Sequence, residues 1–264
     1  MSGLELYTHP MSPCAQKVRI VLAEKGLEWT KHHISLPDKE NLTPEYLKLN
    51  PLGVVPTLVD GGQPIIESSI ICEYLDDAYS QTPLRPQNPV QRSKMRFWMK
   101  HVDVKLHPSC GAIQWPLAMR DKLLLMSEEE QQALLERVPE KPRRERQKRL
   151  LKFGLDAPDV ADAVKTYHRT IVDMENALAE HSWLVSDEFS LADISVCPYF
   201  QTLYQYDWTA MYENDFPRVT DWYARCRERD SYQKAVAEDF SDEKLAELRS
   251  KGRAGWPKIL AHLN

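Results

Sequence analysis

Two side chains that could take part in sulfur chemistry stand close together in the segment HPMSPCAQKVR. Ser12 and Cys14 lie in the loop that enters the first predicted helix, where free backbone N–H groups and the helix dipole stabilise an anion. A serine hydroxyl there can donate a hydrogen bond to a thiolate, and a cysteine thiol there would have a lowered pKa. Helix capping by Ser12 and simple packing of Cys14 also explain these positions.

A Val-Pro pair in the segment VVPTLVDGG could bind a ligand through backbone groups rather than side chains. Proline has no backbone N–H to donate to a neighbouring strand. Val55-Pro56 at the start of an apolar strand therefore predicts an edge strand, a β-bulge or a cis turn. A cis bond would turn the backbone groups of Val55 outward, where an extended peptide could pair with them.

A third group of polar residues, Glu67, Ser68 and Ser69, precedes the apolar helical pattern IICEYL. Either serine could be an N-cap and nothing more. A hydroxyl and free N–H groups beside an acid would also bind an α-amino acid zwitterion. The hydroxyl and N–H groups would bind the carboxylate of the amino acid, and Glu67 would bind its ammonium group.

The first 80 residues alternate between strand and helix patterns that would position these groups. The segments LELYTH and TKHHIS predict strands, and VVPTLVD and QPIIE predict a hairpin that turns at Gly61-Gly62. Helices are predicted at AQKVRIVLAEKG, more weakly at TPEYLKLN, and at SSIICEYLDDAY, where Ile70, Ile71, Tyr74 and Leu75 are expected to share one face. These elements predict a small α/β domain over residues 1–80.

Beyond the proline-rich linker SQTPLRPQNP the strand signal disappears. Apolar residues then recur at helical spacing, which predicts an all-helical domain over residues 90–264. Its polar stretch 119–158 contains the run KPRRERQKR, which would suit an anionic ligand. The acidic segment SEEEQQ precedes that run, and its negative charges can balance the positive charges of the run. We therefore favour a helical surface that is exposed to solvent.

The composition of the chain excludes several classes of function. A chain of 264 residues with 28% charged residues and a net charge of −5 is typical of a globular protein, and we expect no nucleic-acid partner. Neither a GxGxxG nor a P-loop pattern occurs, which argues against most nucleotide-dependent enzymes. Five cysteines, an odd number, predict reduced thiols and a cytoplasmic location, and we expect no secretory leader and no membrane association.

The order and spacing of these segments resemble the thioredoxin-like N-terminal domain of the cytosolic glutathione transferases, and the resemblance continues through the whole chain. It implies an all-α C-terminal domain, glutathione as cosubstrate and a homodimer. Ser12 in MSPCAQKVR matches the thiol-activating serine of the zeta-like pattern, and Val55-Pro56 matches the cis-proline site. Glu67 and Ser68 match the site for the γ-glutamyl end of glutathione, and Asn41 matches a polar position at its glycine end.

The helical part also carries a family feature. The segment EFSLADISVCPY matches the buried capping box of the family, with Ser190 as N-cap and Asp193 three residues later. The resemblance implies a structural role for this box, not a catalytic one.

Within the family, three segments resemble the bacterial and fungal glutathione-dependent β-aryl etherases, which cleave ether bonds in lignin fragments. These segments are CEYLDDAYSQTPLRPQNPVQRSKMRFWMKHVD, the polar stretch and SLADIS. The MSxC arrangement instead resembles the reductive dehalogenases of the superfamily, in which the cysteine aligned with Cys14 attacks a glutathionylated intermediate. Three alternatives stay open: a transferase of the detoxifying or etherase kind, a dehalogenase or thiol-redox enzyme using Cys14, and a non-catalytic glutathione-binding protein.

A hydrophobic aromatic substrate would require an apolar cleft between the two domains. Its expected walls come from Met11, Trp98, His101, Trp115 and Tyr204. His101 could protonate a leaving oxygen, although an ordinary packed histidine explains it as well. No spacing of His and Cys residues suggests a metal site, so no metal cofactor is expected.

Overall fold

The computed structural model describes residues 3–263, and the N-terminal part of the chain folds around a mixed four-stranded sheet. The strands are β1 (Leu4–Thr8), β2 (Trp29–His33), β3 (Thr57–Asp60) and β4 (Gln63–Ile65), in the order β2-β1-β3-β4. Strands β1 and β2 are parallel, and the other two pairs are antiparallel. Helix α1 (Pro13–Glu24) makes the crossover from β1 to β2, and α2 (Pro44–Leu49) and α3 (Ser68–Ala78) complete this thioredoxin-like unit.

Most local predictions for this unit agree with the structure. Gly61 and Gly62 have positive φ angles of 57° and 80°, as a tight hairpin turn requires. The predicted apolar face of α3 is wrong at Ile70, which is 60% exposed, whereas the next residue, Ile71, is fully buried. Adjacent helix residues are about 100° apart, so only one of the two isoleucines can point directly into the core.

The second part begins with one long helix interrupted by two π-helical segments. Helices α4 (Pro89–His101), α5 (His107–Trp115) and α6 (Asp121–Leu124) are joined through Val102–Leu106 and Pro116–Arg120, with helical dihedral angles at the junctions. Two prolines, which cannot donate backbone hydrogen bonds, accompany these segments: Pro108 lies two residues after the first segment, and Pro116 is the first residue of the second.

The remainder of the chain is helical as well, which confirms the predicted fold class. Within the described residues, seven further α-helices follow in chain order: α7 (Glu128–Glu136), α8 (Lys141–Phe153), α9 (Pro158–Ala177), α10 (Leu191–Gln205), α11 (Pro217–Glu228), α12 (Asp230–Ala235) and α13 (Asp242–Leu260). Helix α1 packs against α10 and α12, so it lies between the sheet and the helical part. Residues 1, 2 and 264 of the two predicted domains lie outside the described residues.

A buried carboxylate connects the start of α10 to two other segments. Ser190 is the N-cap of α10, and its capping box with Asp193 is present as predicted. Asp193 also accepts hydrogen bonds from the backbone N–H of Leu184, at 3.0 Å, and from the indole of Trp222, at 2.9 Å. Burial raises the pKa of Asp193, while its hydrogen bonds act in the opposite direction. The box therefore joins α10, α11 and the loop before α10.

Replacing Asp193 should destabilise the whole helical part. We expect Asp193→Ala to lower the free energy of unfolding by at least about 3 kcal/mol, because several buried donors lose their charged acceptor. Urea denaturation followed by circular dichroism measures this change. The matched control is Asp221→Ala, which removes an exposed carboxylate on α11 and should cost less than about 1 kcal/mol. Equal effects of the two substitutions would contradict the structural role of the box.

Candidate active site

Ser12 begins helix α1 and forms the first part of the site. It is the N-cap, and its Oγ accepts a hydrogen bond from the backbone N–H of Ala15 at 3.3 Å. Because Oγ is the acceptor in this bond, its own O–H hydrogen is left free to be donated elsewhere. The side chain is largely buried but lines a cavity, so capping and a functional role coexist at this serine.

That cavity has a volume of about 200 Å³ and lies between the two parts of the chain. The N-terminal unit contributes Ser12, Leu36, Lys39, Asn41, Leu42, Gly53, Val54 and Val55 to its walls. The helical part contributes His107, Trp115, Met119, Val138, Arg143 and Gln147. The walls are thus apolar near Trp115 and basic near Lys39 and Arg143.

Cys14 lies at the second position of α1 and faces a histidine from the helical part. Its Sγ is 3.4 Å from Nδ1 of His107 and 3.7 Å from the hydroxyl of Tyr199. Ser68, at the start of α3, also lowers the pKa of this thiol. His107 lines the cavity as well, so it connects the cysteine to the cavity that contains Ser12.

The surroundings of Cys14 favour its thiolate. Burial raises the pKa of Cys14, but the charge and hydrogen bond of His107, the charge of Lys17 and the bond from Ser68 together bring it down to about 6. The facing thiolate raises the pKa of His107, against the effect of burial. The two groups therefore form a thiolate–imidazolium pair near neutral pH.

A buried lysine supports this pair from the same helix. Lys17 is fully buried, and its ammonium group donates to Ser69 Oγ at 2.9 Å and to Asp103 Oδ1 at 3.1 Å. Burial alone would lower the pKa of Lys17, but the charges of Cys14 and Asp103 raise it above its ordinary value. Asp103 belongs to the first π-helical segment, so this network ties α1 and α3 to the long helix.

Several residues predicted for the site meet at or beside the cavity. Asn41, Val55 and Trp115 line it together with Ser12. The Val55-Pro56 bond is cis, as expected. Glu67 occupies the N-cap position of α3 without a capping side-chain bond.

The remaining predicted wall residues are placed elsewhere. Trp98 lines a separate pocket with Phe97 and His181, and His101 Nε2 lies 2.9 Å from the hydroxyl of Thr170. The hydroxyl of Tyr204 accepts a hydrogen bond from Arg227. Met11 packs against the core, and its carbonyl accepts a bond from Gln114. The helices that carry Trp98, His101 and Tyr204 present these side chains to other helices.

Four important residues were missed or misjudged from sequence. His107 stands in the helical pattern KLHPSCG, where the only signal is the proline that follows it. Lys17 is a charged residue within an apolar helix, which is unusual unless the charge is paired. The interpretation of KPRRERQKR as solvated surface is wrong at Arg143 and Gln147, which line the cavity. A helix can present a basic face inward when a ligand site lies there.

The described residues also set limits on other kinds of site. Between residues 3 and 263, no group of three His, Cys, Asp or Glu side chains could hold a metal ion. In the same range, no helix is both long enough and apolar enough to cross a membrane.

A thioredoxin-like domain joined to a helical domain, with a thiol-stabilising site at the start of its first helix, defines the class of this protein. Family models described as the glutathione S-transferase N-terminal and C-terminal domains match residues 11–78 and 114–230. The chain therefore belongs to the glutathione S-transferase family.

Among its relatives is protein LigF of Sphingobium sp. strain SYK-6, with 29% identity over 193 residues, covering 72% of this chain and 75% of LigF. The crystal structure of beta-etherase LigF superimposes with a TM-score of 0.80 at 26% identity, covering 90% of this chain and all of that one. Glutathione S-transferase U19 of Arabidopsis thaliana is 25% identical over 240 residues, covering 89% of this chain and 90% of the relative. A theta-class glutathione S-transferase of Xanthomonas axonopodis pv. citri, solved with glutathione bound, has a TM-score of 0.65 at 25% identity, covering 89% of this chain and 98% of that one.

The thiolate–imidazolium pair makes a direct prediction for alkylation. Without His107 the pKa of Cys14 should rise toward the ordinary thiol value of about 8.5, so most of the thiolate is lost at pH 7. We expect His107→Asn to slow the reaction of Cys14 with iodoacetamide about tenfold at pH 7. Mass spectrometry of the modified peptide across pH 5 to 10 measures the rate and its midpoint.

The matched control is His168→Asn, which removes an exposed histidine on α9. Cys72, Cys110, Cys197 and Cys226 are buried, so they should react slowly in the folded protein. An unchanged midpoint in His107→Asn would show that the imidazole does not stabilise the thiolate.

Proposed function

We propose that this family member is a glutathione transferase in which Ser12 activates the thiol of glutathione for attack on a hydrophobic, aromatic electrophile. The observation that carries the proposal is the free hydroxyl hydrogen of Ser12 at the N-terminus of α1, within the cavity between the two domains. A free thiol is only a few per cent thiolate at pH 7. A hydrogen bond to the sulfur anion contributes about 1.5–3 kcal/mol, and the helix start adds a favourable dipole.

The other groups around the cavity would place the tripeptide. The backbone of Val55 would pair with its cysteine residue, and Glu67 and Ser68 would take its γ-glutamyl end. Asn41 would contact the glycine end. These roles are supported by the placement of Asn41 and Val55 with Ser12 on one cavity, and of Glu67 and Ser68 at the start of α3.

Cleavage of a β-aryl ether is the more specific activity that we propose. Similarity to LigF, whose structure is described as a beta-etherase, supports it. The glutathione thiolate would attack the carbon that carries the aryl ether oxygen. A C–S bond forms, the C–O bond breaks, and the phenolate leaves and takes a proton from solvent. Trp115 and Met119 give the cavity an apolar wall for an aromatic ring.

The Cys14–His107 pair favours one alternative, a dehalogenase or thiol-redox reaction. The Cys14 thiolate would attack the sulfur of a glutathionylated aromatic substrate, so that an S–S bond forms and the C–S bond breaks. The released carbon keeps the electron pair and takes a proton. A second glutathione thiolate then attacks the mixed disulfide, which frees Cys14 and yields glutathione disulfide. Two glutathione molecules are thereby oxidised and one carbon is reduced.

The two mechanisms differ in which residue they need. We expect Ser12→Ala to lower kcat/KM at least tenfold and to raise the pKa of the bound glutathione thiol, measured from thiolate absorbance in the ultraviolet. A glutathione-consumption assay with aryl ethers, halogenated aromatics and model electrophiles supplies the rates. The control Ser127→Ala removes an N-cap from α7, outside the cavity, and should leave both quantities unchanged.

The alternative has its own signature. If Cys14 acts covalently, mass spectrometry should detect one glutathione bound by a disulfide during turnover, and Cys14→Ala should abolish both this species and the activity. Unchanged turnover in Ser12→Ala together with that result would move the chemistry to Cys14. Failure of the protein to bind glutathione in a calorimeter would contradict both mechanisms and favour a non-catalytic role.

We also propose a homodimer in the cytoplasm. Helices α3 and α4 are neighbours, joined by the Glu73–Arg96 ion pair at 2.7 Å. Exposed apolar side chains lie along α3, α4 and the π-helical segment that follows: Ile70, Val90, Phe97 and Val104, between 55% and 73% exposed. The last three are seven residues apart, so they follow one stripe, and a second copy of the chain would cover them.

This surface predicts a change of mass in solution. We expect Phe97→Glu to convert the dimer into a monomer, because a charge replaces the most exposed side chain of the stripe. Light scattering after size-exclusion chromatography measures the mass. The control is Leu125→Glu, which changes an even more exposed leucine away from this surface, after α6. A wild-type protein that is monomeric would contradict the proposed dimer.

A further inference from the structure

The cavity wall includes an imidazole that has no part in the ether cleavage described above. His107 begins helix α5 of the helical domain, lines the cavity that also contains Ser12, and is exposed rather than packed into the core. Ether cleavage releases a phenolate, a base whose conjugate acid has a pKa near that of tyrosine, about 10. A group that protonates this oxygen as the C–O bond breaks would speed the reaction, and histidine is the side chain that most often does so.

The two nitrogens of the His107 ring have different contacts. Nδ1 lies 3.4 Å from Sγ of Cys14 and 3.3 Å from the hydroxyl of Tyr199. The contact of Nε2 with the same sulfur is longer, at 4.0 Å, and the described residues offer Nε2 no other hydrogen-bond partner. In an imidazolium both nitrogens are donors. Nδ1 is therefore held by the protein, and the Nε2–H group is the donor that is left for a ligand.

The groups that face this ring favour its protonated form. Cys14 and Lys17 face it from α1, Arg146 from α8 and Tyr199 from α10. The charge of the Cys14 thiolate raises the pKa of His107, and this attraction exceeds the opposing charges of Lys17 and Arg146. The ring is thus protonated to a greater extent at neutral pH than a free histidine, and it loses the proton as the pH rises through the raised pKa. An acid whose pKa lies near the working pH both holds its proton and gives it up readily.

We propose that His107 is the general acid of ether cleavage, which donates its Nε2 proton to the departing phenolate while Cys14 holds the ring through Nδ1. This inference rests on the proposed function, because it assigns a proton donor to the leaving group of that reaction. The glutathione thiolate forms the C–S bond, the electron pair of the C–O bond passes to the oxygen, and the proton moves from Nε2 to that oxygen. The neutral imidazole then regains a proton from solvent, to which it is exposed. Cys14 acts through His107, so in this reaction it is a positioning residue and not a nucleophile.

The experiment compares two ethers that differ only in the leaving group, phenacyl para-nitrophenyl ether and phenacyl phenyl ether, in a glutathione-dependent assay. Nitrophenolate is a weak base that leaves without a proton, whereas phenolate needs one. In His107→Asn we expect kcat/KM to fall about 100-fold for the phenyl ether, which loses general acid catalysis, and less than about threefold for the nitrophenyl ether. The control His168→Asn, which changes an exposed histidine on α9, should alter neither value.

The pH dependence tests the same assignment on the wild type. The ratio of kcat/KM for the phenyl ether to that for the nitrophenyl ether should fall as the pH rises through the pKa of His107, because only the phenyl ether needs the imidazolium. Cys14→Ala removes the anion that raises this pKa, so the fall should begin at a lower pH while both ethers are still cleaved. The wild-type ratio decides the matter even if His107→Asn does not fold.

Three results would contradict the assignment. Equal losses for the two ethers in His107→Asn, or a wild-type ratio that does not change with pH, would overturn the inference and leave the proposed function standing. Loss of both activities in a folded Cys14→Ala protein would assign the chemistry to the cysteine itself and would also overturn it. If the wild type with glutathione cleaves neither ether, the proposed ether cleavage fails and the inference fails with it.

Discussion

The N-terminus of helix α1 faces the helical domain, and polar side chains of the two domains pair across this interface. Cys14 meets His107, and Lys17 meets Asp103, within hydrogen-bond distance in both cases. Because Lys17 is fully buried, losing Asp103 would leave a buried charge without compensation, which costs several kcal/mol. The relative position of the two domains and the ionisation of the thiol are therefore set by the same contacts.

This interface gives two neighbouring residues different chemical surroundings. Ser12 and Cys14 are separated by one residue, yet Ser12 opens onto the cavity while Cys14 contacts His107 and Tyr199. In the proposed function, the serine offers a neutral hydrogen bond to a thiolate brought by a cosubstrate. The cysteine holds a thiolate of its own. His107 touches the cysteine and lines the cavity, so protonation of that one imidazole acts on both environments.

The π-helical segments of the long helix that carries His107 affect how its side chains are oriented at the site. A π-helical segment, Val102–Leu106, comes immediately before His107, and a second one follows Trp115. Each inserts extra backbone into the helix and rotates the residues that follow it relative to a regular α-helix. In a regular helix the positions of His107, Trp115 and Met119 around the axis would be different. Proline at positions 108 and 116 accompanies both segments, since it cannot continue the usual hydrogen bonds.

Local physics was enough to predict much of this molecule from sequence. Alternation of apolar residues, Gly61-Gly62 and the Ser190–Asp193 box act over a few residues, so the strands, the hairpin and the start of α10 follow from neighbours in the chain. The resemblance to glutathione transferases placed Ser12, Asn41 and Val55 at one site. Periodicity could not separate Ile70 from Ile71, because the two are equally apolar and adjacent, and only packing shows that Ile71 is buried and Ile70 exposed.

The sequence by itself determined the fold class, the family and the helix start at which a thiolate would be stabilised. Tertiary structure alone decided which charges meet there. Cys14 and His107 are 93 residues apart, and Lys39 and Arg143 are 104 apart, so no local pattern records that they are neighbours. The pKa of a side chain depends on burial and on charges within a few ångströms. Those quantities exist only after the two domains have packed together.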